Sequence, residues 1–213
     1  MERWETMYFE GRRAGFLLRS VQDGVLTTRT AFGGARPGEH RAGPAERFLS
    51  ESTITLSAGA TVQGWRACTF QDSSATQRVS VDRERAGLDR DALPSYGEWM
   101  LLQQLAAQGT SGAEYIRLEE SQFFTGTLAP SPARMVRRGA EPVQRPDGQT
   151  LVADRVEVLS HGLVLATHWL AGEQVVMSDW GGPAVSVPVD SLAQALEGMD
   201  DNMTAFALRG FGF

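Results

Sequence analysis

Hydrophobic and polar positions alternate along most of this chain, and glycine-bearing turns break the alternation at short intervals. Residues 4–9, 14–21 and 25–32 read as three strands, the first two bridged by Glu10-Gly11-Arg12-Arg13. Residues 48–56, 61–70 and 76–81 read as three more, and 114–118, 122–128 and 134–138 as a further set. Residues 151–189 hold another three or four, separated by Ser160-His161-Gly162, Ala171-Gly172-Glu173 and Gly181-Gly182-Pro183. Turns this short join antiparallel neighbours, because parallel strands need crossovers of roughly a dozen residues. The pattern therefore predicts a meander.

Two segments carry helical spacing instead. Ser95-Tyr96-Gly97-Glu98 has the form of a capping box, and Trp99, Leu102, Leu105 and Ala106 then fall on one stripe before Gly109. This predicts a central helix over 95–108 whose apolar stripe needs a sheet to cover it. Asp190 or Ser191 caps a second, shorter helix over 190–199, with Leu192, Ala195, Leu196 and Met199 on one side. Residues 33–46 are rich in glycine and proline and are expected as a mobile loop. Residues 200–213, with Phe206, Phe211 and Phe213, read as an apolar tail that docks on the protein's own surface or on a partner. The fold class expected is mainly β (α+β): one domain over 1–213, a strongly curved antiparallel sheet or half-barrel of roughly nine to eleven strands wrapped around the central helix.

Composition narrows the chemistry. The 213 residues carry 20 basic and 26 acidic side chains, a net charge of −6. With no basic run, nucleic acid is not an expected partner. Every basic residue is arginine, so Schiff-base catalysis and a P-loop lysine are both ruled out. A single cysteine, Cys68, gives no intramolecular disulfide and no thiolate-rich zinc site, and it is expected as a buried, inert thiol. No stretch is long and apolar enough to span a membrane as a helix. No signal peptide is visible, which places the chain in the cytoplasm as it stands, or in the periplasm or outside the cell if a leader has been removed.

Three stretches together resemble a known group: Trp4-x-x-x-Tyr8 with Gly11-Arg12-Arg13-Ala14-Gly15-Phe16, Leu93-Pro94-Ser95-Tyr96 entering the helix, and Thr167-His168-Trp169 followed by Trp180-Gly181-Gly182. They are similar to uncharacterised bacterial domains related to the lipoprotein-carrier (LolA/LolB-like) group. The likeness covers most of the chain and implies a curved antiparallel sheet around a helical plug, with an apolar concavity. No lipobox cysteine lies near the start, so lipid cargo is one option among apolar ligands.

The residues themselves offer little catalytic patterning. His161 and His168 are separated by seven positions with a turn between them, so structural histidines, and no metal or cofactor, are expected. Glu119-Glu120 and Asp154 with Glu157 face opposite ways on strands and read as solvated surface. The aromatic residues are more informative. Trp65, Trp99, Leu102, Phe124, Trp169 and Trp180 are the expected lining of a ligand cavity, in a non-enzymatic binding or accessory domain for an apolar small molecule, lipid or peptide. Two alternatives are a protein-interaction module using sheet edges or the Phe-rich tail, and a cofactor-independent enzyme using His168, Asp179 or Glu119 for proton transfer.

Overall fold

The computed structural model describes residues 1–33, 47–57, 64–75 and 77–211. All but Gly33 of the loop expected over 33–46 lies outside the described residues. The opening strands are β1 (Glu2–Phe9), β2 (Arg12–Gln22), β3 (Val25–Gly33), β4 (Arg47–Leu56), β5 (Trp65–Asp72) and β6 (Val79–Asp82). Next come β7 (Ala92–Pro94), helix α1 (Glu98–Gln108), β8 (Gly112–Leu118) and β9 (Ser131–Gln144). The chain closes with β10 (Thr150–Ser160), β11 (Leu163–Ala171), β12 (Gln174–Asp179), β13 (Ala184–Val189), α2 (Leu192–Leu196) and α3 (Asp201–Arg209).

These form one 13-stranded sheet in which strands pair with their sequence neighbours, with two exceptions. β13 returns to pair antiparallel with β1, and β6 and β7 do not pair, so they are the two edges. Every pairing is antiparallel except β7 with β8, which run parallel because α1 supplies the crossover between them. Laid flat, thirteen strands would span about 60 Å. Yet Leu26, Ile54 and Phe70 from one arm share a core with Val156, Val158 and Leu170 from the other, and Trp99, Leu102 and Leu105 of α1 lie in that same core. The sheet is therefore bent around the helix.

The unpaired seam is closed by side chains. The Trp65 indole N–H on β5 donates to the Ala92 carbonyl on β7 at 2.7 Å. A 3-10 turn over Glu120–Thr125 packs beside β5 and β6, where Phe124 meets Phe70 at 5.5 Å between ring centroids. Residues 122–128, expected as a strand, form this turn and the coil after it. Gly126, at φ 69°, ends the turn in the left-handed region that glycine tolerates.

The start of α1 also departs from expectation. Ser95–Gly97 form a 3-10 turn, and Gly97 precedes the α-helix without any side-chain cap. The Ser95 hydroxyl and amide donate to Glu120 instead, and Glu98 is taken by Tyr115 and Arg117, so the capping box does not form. Its residues are used to tie the helix to the rest of the fold. A Cβ at Gly97 would lie 2.8 Å from the Leu93 side chain, so glycine allows that close approach. Gly109, at φ 63°, ends the helix as its position predicts.

Within the stretch expected as a docking apolar tail, Asp201–Arg209 form α3, capped by the Asp200 carboxylate accepting from the Met203 amide, and residues 212–213 lie outside the described residues. Met203, Phe206 and Ala207 pack on Phe16, Leu18 and Ala31, the face of β2 and β3 opposite the helix core. Ser191 caps α2 through the Gln194 amide. Among the described residues no helix is long and apolar enough to cross a membrane.

Candidate functional site

α1 fills only part of the concavity. Beside it lies a cavity of about 440 Å³, walled by inward-facing positions of β2, β3 and β11, the start of α1 and the turn at Glu120. Its lining is graded. Arg19, Trp99, Ala166 and His168 are buried, whereas Phe32, Phe48, Leu165 and Ala184 are only half-buried, so the former make the floor and the latter the mouth. Phe32 and Phe48 stand against each other at the mouth, 5.1 Å between centroids. The volume falls within the roughly 300–1,000 Å³ typical of small-molecule sites.

A polar network underlies the floor. On β1, Glu5 is almost fully buried and receives the guanidiniums of Arg19 on β2 and Arg3 two residues before it. Ser186 on β13 donates to the other Glu5 oxygen at 2.5 Å and accepts from the Trp180 indole at 3.0 Å. Burial would raise the Glu5 carboxyl, but Arg19, Arg3 and the Ser186 hydroxyl outweigh it and hold it at about 2. Arg19 lies against the Trp99 and Trp180 rings, its central carbon 5.6 and 5.4 Å from their centroids. His168 shares a 2.8 Å hydrogen bond with Ser178 and meets the Trp180 ring edge-on. Burial, reinforced by Arg19, pushes its pKa down to about 3, so the imidazole is neutral.

The wall toward α1 is acidic but satisfied. Glu120 is fully buried and accepts from the Ser95 hydroxyl and from the amides of Ser95 and Tyr96. Burial outweighs those bonds and lifts its pKa to about 7. Glu98 accepts from Tyr115 and Arg117 at 2.6 Å, and Arg117 also pairs with Glu119. The Tyr96 phenol, raised to about 12 chiefly by burial, hydrogen-bonds Ser50 at 2.7 Å.

Of the six residues expected to line a cavity, Trp99 and Trp180 do so. Trp65 and Leu102 lie in the packed core with their surfaces consumed by neighbours, and Phe124 packs on Phe70 at the seam. Trp169 faces the other way. Its neighbour His168 points inward, and Trp169 joins Val143, Met177 and Val187 in a separate outer cluster, its indole donating to Glu141. Of the three proton-transfer candidates, His168 and Glu119 are on the cavity wall, while Asp179 is not and caps the Gly181 amide. Cys68 is buried, its thiol pushed well up by desolvation.

Glu5, Arg19 and Glu120 were not foreseen as site residues. Arg3 and Arg19 stand directly opposite each other across β1 and β2, with Glu5 two residues along on the same face. That cross-strand charge pattern was the available signal. Glu120 offered none, because the glutamate pair reads as surface until the turn buries it. A second cleft, about 480 Å³, runs past Glu114, Arg134 and His161, but exposed strand and turn residues make up much of its lining.

No family model matches the chain, and no curated protein matches its sequence. Among solved structures, a beta-barrel-like protein of a domain of unknown function from Brucella abortus is similar to it, with a TM-score of 0.47, 8% identity, and coverage of 89% of this chain and 95% of that one.

Proposed function

We propose that this protein is a non-enzymatic binding or accessory domain that holds an apolar or amphipathic molecule in the concavity of its sheet. One observation carries the reading: a cavity of about 440 Å³ stays open beside α1, with Phe32, Phe48, Phe70, Trp99 and Trp180 on its wall. Aromatic side chains that only filled a core would consume their surface against one another, as Trp65 does. The resemblance to lipoprotein-carrier domains is in keeping with a lipid-like cargo and belongs to this reading. As a proton-transfer group His168, neutral and desolvated, would be a weak base at neutral pH.

The test uses Nile red, an uncharged dye whose emission rises in apolar surroundings. The wild-type protein is expected to bind it saturably at one site, and Ala166→Phe, which fills the cavity floor, to abolish that binding while the circular dichroism spectrum is retained. Equal binding to both proteins would place the dye elsewhere and remove the proposal.

A further inference from the structure

The network under the cavity floor holds one more guanidinium than carboxylate. Glu5 is the carboxylate partner of both Arg19 and Arg3, so two guanidiniums share one anion. Arg3 commits a further nitrogen to the Val175 carbonyl at 2.6 Å. Arg19 is buried and makes one hydrogen bond among the described residues, from Nη1 to Glu5. Its other N–H donors carry no hydrogen bond among the described residues, and Arg19 is part of the cavity lining.

The surroundings fix this donor edge in place. Trp99 and Trp180 flank the guanidinium, and planar contact of this kind costs arginine less freedom than it would a lysine. The carboxylates elsewhere on the wall are already engaged. Glu98 and Glu119 have Arg117, Glu120 has the Ser95 and Tyr96 donors, and Asp72 accepts from the Ser74 amide and hydroxyl. His168, held neutral, adds no charge beside Arg19.

We propose that the cavity takes an amphiphile with a carboxylate head, seated on the free edge of Arg19 between Trp99 and Trp180, with its apolar chain running past Phe70 to the mouth at Phe32 and Phe48. This rests on the cavity-binding reading above. A guanidinium presents paired donors that match a carboxylate, and in a desolvated site such charge-assisted bonds are the strong ones. Because the head lies at the buried end and the chain points outward, the site discriminates between heads and tolerates differences in chain length.

Displacement of Nile red by three probes of equal chain length tests this: dodecanoate, dodecanol and dodecylammonium, each below its micelle concentration. Dodecanoate is expected to displace the dye at about ten- to a hundredfold lower concentration than dodecanol, the range that one or two charge-assisted hydrogen bonds supply. Dodecylammonium is expected to be the weakest of the three. In the double variant Glu5→Gln/Arg19→Gln, which removes the buried pair together and leaves Arg3 its bond to the Val175 carbonyl, the dodecanoate-to-dodecanol ratio collapses toward one. Equal displacement by dodecanoate and dodecanol in the wild type would overturn the head-group assignment and leave the apolar cavity standing. Preference for dodecylammonium would overturn it in favour of the acidic wall. Absence of saturable Nile red binding would instead remove the reading on which it rests. Should the double variant fail to fold, the wild-type probe series decides alone.

Discussion

The concavity of this sheet has two halves, and they are built differently from the same alternation. In the half that α1 occupies, Trp65, Leu102 and Leu118 are fully buried against helix and strand side chains, and the interior is apolar. In the other half Arg19, Thr30 and His168 face open space, and beneath them Glu5 accepts from Arg19 and Ser186. The contrast separates two uses of an aromatic residue. Trp65 is a structural staple, and Trp180 is half-buried and available. Substitutions on the two sides should therefore divide into those that unfold the protein and those that change what it holds.

The largest effects are expected in the filled half and at the buried ion cluster. Trp65→Ala removes a fully buried ring and the indole bond that ties β5 to β7 across the seam, and should cost about 3–5 kcal/mol in denaturant unfolding. Glu5→Leu leaves Arg19 without its carboxylate in the interior and should cost a similar 3–5 kcal/mol or so. A loss below about 1 kcal/mol at either position would mean that the two halves are not distinct in the way described.

Next comes acid stability, which separates the polar half into groups of opposite sign. His168 goes from an ordinary 6.5 to about 3 on folding, so its contribution is lost as pH falls through that window. Glu120 goes from 4.5 to about 7, so its contribution is present below 4.5 and lost as pH rises toward 7, and Glu98, also raised by burial, acts in the same sense. Glu5, lowered from 4.5 to about 2, adds loss only below 4.5. Between 4.5 and 6.5 the loss from His168 is opposed by Glu120 and Glu98, so stability should hold on acidification, and it should fall steeply below 4.5. His168→Asn removes one side of that balance, and the variant should become more stable on acidification from pH 6.5 to 4.5. A denaturation midpoint that falls over that range in both proteins contradicts these assignments.

The smallest stability effects belong to the cavity mouth. Trp180→Ala forfeits the bond to Ser186 and should cost about 1 kcal/mol, and Phe48→Ala should cost less than that. Both should weaken Nile red binding several-fold, reversing the order expected for Trp65→Ala.

The sequence made the meander, its hairpin turns and the helix plug legible because each rests on local rules: period-two alternation, short glycine turns, and a helical stripe ended by Gly109. It hid what depends on distant partners. Of the strand β9, Ser131–Gln144, only 134–138 is legible, because Pro132, Gly139 and Pro142 look like breakers; Gly139, at φ 103°, sits at a register shift within the ladder to β10. Trp169 could not be placed because Leu163–Ala171 is apolar at positions of both parities, so alternation gives no inward face. The cavity floor was missed because charged residues in strands read as solvent-facing, and only the return of β13 to β1 brings Ser186 to Glu5 and encloses them.

The central claim is that the half of the concavity beside α1 holds a small apolar or amphipathic molecule. Native mass spectrometry of protein purified without detergent tests it most directly. The account predicts a non-covalent adduct of a few hundred daltons that is removed by organic extraction and is absent from Ala166→Phe. A spectrum with the polypeptide mass alone, from wild-type protein that also fails to take up Nile red, would contradict it.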